Sequence, residues 1–156
     1  GLDWLKEDGF SSILKLAETN YSVQRPTAVI FNLGVNDPGN MYNYVEYLQE
    51  IAGTLQKKNC KLFIMSVNPV NSKTIEYLGR NAIRKEEVIR KFNSVLKSGL
   101  GSTYGYIDTY SYLLKNGYGT NLGGGGQDVA IDDGLHYTTK TYKRIFQYCL
   151  DYLTAR

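Results

Sequence analysis

His136 is the only histidine in the chain, and imidazole is the side chain best suited to exchange a proton near neutral pH. Asp133 stands three residues before it, across a turn that contains Gly134. A carboxylate so placed can accept the imidazole Nδ1–H, which fixes the tautomer. That leaves Nε2 to take a proton and stabilises the imidazolium that results. The ordinary alternative is a surface histidine near a helix start, with Asp132 or Asp133 as its N-cap. A second candidate is Gly34-Val35-Asn36-Asp37, directly after an apolar run. A glycine-then-asparagine turn there can aim the Asn36 amide into a crevice. An N–H donor in such a place stabilises a developing oxyanion by roughly 3 kcal/mol. Its ordinary alternative is a strand-ending turn, for which Asn, Asp, Pro and Gly are the usual residues.

Both segments fall at the ends of elements able to position them. Ala28 to Leu33 is a short continuous apolar run that reads as a strand buried on both faces, ended by Asn36-Asp37-Pro38-Gly39. Lys61 to Val67 repeats the pattern and is closed by Asn68-Pro69, and Tyr104 to Asp108 is a weaker third strand. Helical spacing of apolar residues predicts helices over Asp3–Glu18 (interrupted at Gly9), Met41–Lys57, Ala82–Lys97 and Thr138–Leu153. A polar, glycine-rich loop covers Asn116 to Asp133. Strands alternating with helices of this length imply right-handed crossovers and a parallel sheet covered on both sides. Residues 1–156 therefore read as a single α/β domain, a three-layer sandwich. Open sheets of this kind carry their sites at the carboxyl ends of the strands, where both candidate segments lie.

Composition narrows the classes further. A chain of 156 residues buries one core, and no apolar run approaches the roughly 20 residues that span a bilayer. The net charge of +3 is spread over helical faces, and Arg80 to Lys91 alternates in sign, so nothing resembles a nucleic-acid footprint. Cys60 and Cys149 read as two small buried hydrophobes; their spacing supports no metal site. No metal or organic cofactor is implied. The chain opens without Met and without a signal-peptide layout, and reads as beginning partway through a gene product.

Taken together and in this order, the two segments resemble motifs of the bacterial SGNH (GDSL-like) ester hydrolases. Asn32-Leu33-Gly34-Val35-Asn36-Asp37 is similar to that family's block III G-x-N-D, and Asp132-Asp133-Gly134-Leu135-His136-Tyr137 to its block V D-x-x-H. The resemblance implies a flavodoxin-like fold with strand order 2-1-3-4-5. It also implies that His136 is the catalytic base, Asp133 its orienting acid and Asn36 an oxyanion donor. Gly34 would let the block III turn pass close to substrate, and Gly1 would match the block II glycine whose backbone N–H is another oxyanion donor. The implied substrate is a small ester or an acylated carbohydrate.

The family's nucleophilic serine, in a G-D-S block at the end of its first strand, has no counterpart here. Asp8-Gly9-Phe10-Ser11-Ser12 has the wrong order and lies in helical sequence. On this alignment the first two strands are lacking, and one long apolar strand edge is open to a missing N-terminal fragment or to self-association. One rival is a catalytically inactive carbohydrate-binding or interaction module of the same fold. A nucleotide-binding protein is the other, suggested by Gly117-Tyr118-Gly119 and Gly123 to Gly126. No strand leads directly into those glycines, however, and no P-loop lysine follows them. Asn68 and Pro69 share the sheet rim with the site and are candidates to line its pocket, while Tyr137 and Trp4 read first as packing residues, with stacking on a sugar or acyl group as the alternative.

Overall fold

The structure is a computed structural model that describes residues 1–79, 85–99, 104–117 and 134–155. Three strands, β1 (Thr27–Phe31), β2 (Cys60–Met65) and β3 (Tyr104–Ile107), form one parallel sheet in the order β1-β2-β3. The register pairs Thr27 with Cys60 and Phe31 with Ile64, then Leu62 with Tyr104 and Met65 with Ile107. The architecture is the α/β sandwich expected from the sequence, and its order matches the 3-4-5 end of the order the resemblance implies.

Alternation along β2 creates two cores. Leu62 and Ile64 point to one face, Phe63 and Met65 to the other. The first face is covered by α3 (Met41–Gln56) and α5 (Glu86–Ser98). Leu48, Ile51, Ala52 and Leu55 of α3 are wholly excluded from solvent, as are Ile89, Phe92 and Leu96 of α5. Beside α3 lies an N-terminal helix made of α1 (Leu2–Trp4), a π-helical turn Leu5–Gly9 and α2 (Phe10–Thr19). The interruption read at Gly9 is thus a π-turn within a continuous helix: a Cβ on Gly9 would lie 2.5 Å from the Trp4 ring. The second face is covered by α6 (Thr109–Lys115) and α7 (Thr139–Thr154), which bring Leu113, Ile145 and Cys149 against Ile107 and Phe63.

Two features depart from the sequence reading. The short helices α4 (Ser72–Tyr77) and α6 were not expected; each is started by an Asx cap, Asn71 accepting from Thr74 N–H and Asp108 from Ser111 N–H. The first strand, expected to be buried on both faces, is only partly covered. Ala28 is exposed, Val29 and Ile30 are half-buried, and only Phe31 is fully enclosed. The physical reason is position: β1 pairs with β2 alone, and its outer edge has no strand partner among the described residues. No helix among those residues is long and apolar enough to cross a membrane.

The turns that end the strands are tightly specified. Asn59 adopts a left-handed conformation (φ 54°) after α3. Its side-chain amide donates to Ser22 C=O (2.6 Å) and its carbonyl accepts from Thr27 N–H (3.1 Å), which ties together the starts of β1 and β2.

Candidate functional site

The carboxyl ends of β1 and β2 open onto a cleft of about 390 Å³. Its polar lining is Asn32, Asn36, Asn68, His136 and Tyr142; Leu33, Val35, Val67, Val70 and Leu135 form its apolar floor and walls. The lone imidazole and the Asn36 carboxamide, exactly 100 residues apart in sequence, therefore face the same space. Among the described residues the lining holds no carboxylate, ammonium or guanidinium, and no serine or cysteine.

Asn36 is placed by the turn that follows β1. Gly34 has φ +114° and its carbonyl accepts from Asp37 N–H (2.9 Å). A Cβ on Gly34 would stand 2.7 Å from the Phe92 ring and 3.2 Å from Val67, so only glycine allows the turn to lie against α5. Gly34 is buried and is not among the residues that line the cleft; it permits close packing of the turn on Phe92. Gly1 does not line the cleft either. It sits beside the Asp37 carboxylate, whose Oδ1 accepts from Leu2 N–H (2.8 Å) and so ties the N-terminal helix to the Asn36 turn. Burial, with a smaller push from the Asp37 carboxylate, drives the Tyr44 phenol strongly upward, so Tyr44 is neutral where it packs edge-on to Phe92.

His136 is placed by a brace between two loops. Gly134 (φ +76°) packs so closely on residues 71–75 that a Cβ would lie 2.8 Å from Asn71 C=O. Gly134 C=O accepts from Asn71 N–H at 2.8 Å, and the Tyr137 hydroxyl donates to Pro69 C=O at 2.5 Å. His136, exposed, is thus flanked by the half-buried Leu135 and a buried tyrosine anchored to the segment that follows β2. Tyr137 is a packing residue, not a stacking platform, and Pro69 offers only its carbonyl to it. Trp4, half exposed, covers Gly9 on the N-terminal helix and is not part of the cleft. Asp133 lies outside the described residues, as does the glycine-rich stretch from Tyr118 onward.

Sequence reasoning did not find the supports of the rim. Asn93, 7% exposed on α5, accepts from Val67 N–H with Oδ1 (2.7 Å) and donates to Val67 C=O with Nδ2 (2.9 Å). It therefore satisfies both backbone groups of the residue just past the last strand pairing. Beneath Asn68 lies a buried pair, Ser66 and Thr109. The Thr109 hydroxyl lies 2.8 Å from Asn68 Oδ1 and 3.2 Å from Ser66 Oγ, which accepts from Tyr110 N–H (2.7 Å). Tyr142 stands in the first turn of the last helix, α7. It is 36% exposed, lines the cleft, and its hydroxyl accepts from Tyr137 N–H (3.2 Å).

Neither the serines of the Asp8–Ser12 segment nor the two cysteines line the cleft. Ser11 and Ser12 donate to Asp8 C=O on an exposed helical surface (2.9 and 3.0 Å). Both cysteines are buried and unpaired, and burial pushes the Cys149 thiol up to about 11, which suppresses the reactive thiolate. Among the described residues no cluster of three or more metal-ligating side chains occurs.

The family model for GDSL-like Lipase/Acylhydrolase matches residues 6–149. No curated protein matches the chain at a significant level. The chain belongs to the GDSL-like lipase/acylhydrolase family, the SGNH hydrolases, and its class of chemistry is hydrolysis.

Proposed function

We propose that this hydrolase cleaves a small carboxylic ester, such as an acetate carried on a carbohydrate, by a serine mechanism in which His136 is the base. The observation that carries the reading is the convergence of His136 and Asn36 on one cleft at the strand ends. Its volume, near the lower end of the roughly 300–1,000 Å³ usual for ligand sites, suits a short acyl group and a compact alcohol.

In this mechanism a serine hydroxyl loses its proton to His136 Nε2 as its oxygen bonds to the ester carbonyl carbon. The Asn36 Nδ2–H donates to the oxyanion of the tetrahedral intermediate, and Asp133 holds the imidazole through Nδ1. The intermediate collapses by breaking the bond to the alkoxy oxygen, which takes the proton back from His136. Water, deprotonated by the same imidazole, then releases the acid and restores the serine.

The serine belongs to residues upstream of Gly1 in the encoded protein. The outer edge of β1 supports this, because a strand added there in parallel would end at the same rim as Asn36. By this reading the 156 residues alone turn over no ester. The absence of serine or cysteine from the described cleft lining also favours a second reading, a non-catalytic carbohydrate-binding or interaction module. Hydrolysis of p-nitrophenyl acetate by the chain extended upstream separates them. The extended protein should be active and its His136→Ala variant slower by about 10⁴-fold or more, in line with loss of a triad member. Unchanged turnover in the variant removes His136 from the mechanism, and an inactive extended protein leaves the binding module.

A further inference from the structure

Asn68 meets the cleft from the strand next to the one that delivers Asn36, and its carboxamide orientation is fixed from below. The Thr109 hydroxyl has one proton. Its nearest acceptor is Asn68 Oδ1 at 2.8 Å, with Ser66 C=O further away at 3.1 Å. Ser66 Oγ, already accepting from Tyr110 N–H, lies further off, 3.2 Å from Thr109 Oγ1. Ser66 and Thr109 are completely buried, so no water competes for these contacts. With its oxygen committed to Thr109, Asn68 turns the Nδ2 donor toward the cleft. The backbone beneath it is equally fixed, through the two bonds from Asn93 to Val67.

We propose that Asn68 is a specificity-determining donor that binds a hydroxyl or ether oxygen on the alcohol side of the substrate, with Thr109 as its positioning residue. This rests on the esterase reading above. Asn36 follows β1, whereas the loop carrying His136 is braced on Pro69 and Asn71, directly beyond Asn68. The imidazole returns its proton to the leaving alkoxide, so the rim beside it is the alcohol's side. With no charged side chain besides the imidazole in the described lining, that half of the cleft suits a neutral polyol and not a phosphate or an ammonium group.

The test is a ¹H–¹⁵N NMR titration of the 156-residue chain with glyceryl monoacetate, which needs no nucleophile. The Asn68 Nδ2 signals should shift in step with those of His136. Loss of one donor should weaken binding about five-fold in both Asn68→Ala and Asn68→Asp. Thr109→Val should weaken it less and move the two Nδ2 proton signals toward their random-coil positions, which a purely structural role would not do. If His136 reports the same affinity in Asn68→Ala as in the wild type, the proposal is overturned while the esterase site stands. If neither His136 nor Asn68 responds to the ester, both fail together.

Discussion

The two faces of the sheet are finished to different degrees. On one, eight side chains of α3 and α5 are wholly excluded from solvent, and Asn93 even completes the backbone bonding of Val67. On the other, α7 seals Ile107 and Phe63 with Ile145 and Cys149, yet leaves Tyr142, Phe146 and Leu150 at 36%, 61% and 36% exposure. Ala28 and Ile30 of β1 are likewise uncovered or half-covered. The cover is therefore closest over β2 and β3 and thins toward β1. An apolar helix stripe beside a strand edge with no strand partner among the described residues is the arrangement that invites another element. The cleft opens on the rim of both regions, drawing Asn36 from the open strand and Asn68 from the closed one.

The contrast can be broken first where it is deepest. Ile51→Ala, in the closed face, should cost about 3 kcal/mol, within the 2–5 kcal/mol range for buried aliphatic truncations. Urea unfolding measures this, and a loss below about 1 kcal/mol would mean that face is looser than its burial implies. Next comes the brace between the loops. Tyr137→Phe removes the donor to Pro69 C=O and leaves that carbonyl without its partner, for a loss of about 1–2 kcal/mol. Broadened NMR signals of His136 in this variant would show the brace positions the imidazole; an unperturbed His136 would assign Tyr137 to stability alone. The smallest effect belongs to the open face. Phe146→Lys should change stability by no more than about 0.5 kcal/mol in urea unfolding. A large loss of stability there would show that Phe146 is packed in solution and the two faces are alike.

The long elements were legible because their signal is redundant. Six buried positions of α3, from Tyr44 to Leu55, repeat at helical spacing, and β2 is a continuous apolar run closed by Asn68-Pro69. The helices α4 and α6 were not, since six and seven residues give too few turns for periodicity to emerge. Their Asx caps at Asn71 and Asp108 were the available signal. His136 and Asn36 stood out as a unique residue type and a turn at a strand end. The burial of Gly34 on Phe92 depends on how a helix crosses the sheet, which local sequence does not encode. Asn93 left one trace: a polar residue inside the apolar stripe of Ile89, Phe92 and Leu96, where only a side chain with its bonds satisfied is tolerated.

The Asn93 contact makes one helix a mechanical extension of the sheet. Because a side chain of α5 takes the place of a neighbouring strand for Val67, any slide of that helix carries the floor of the cleft with it. The same helix bears Phe92, the surface on which the Gly34 turn rests, so the two carboxamides Asn36 and Asn68 share one lever although they come from different strands. The shape of the cleft is thereby exposed to changes in a helix that contributes no side chain to its described lining.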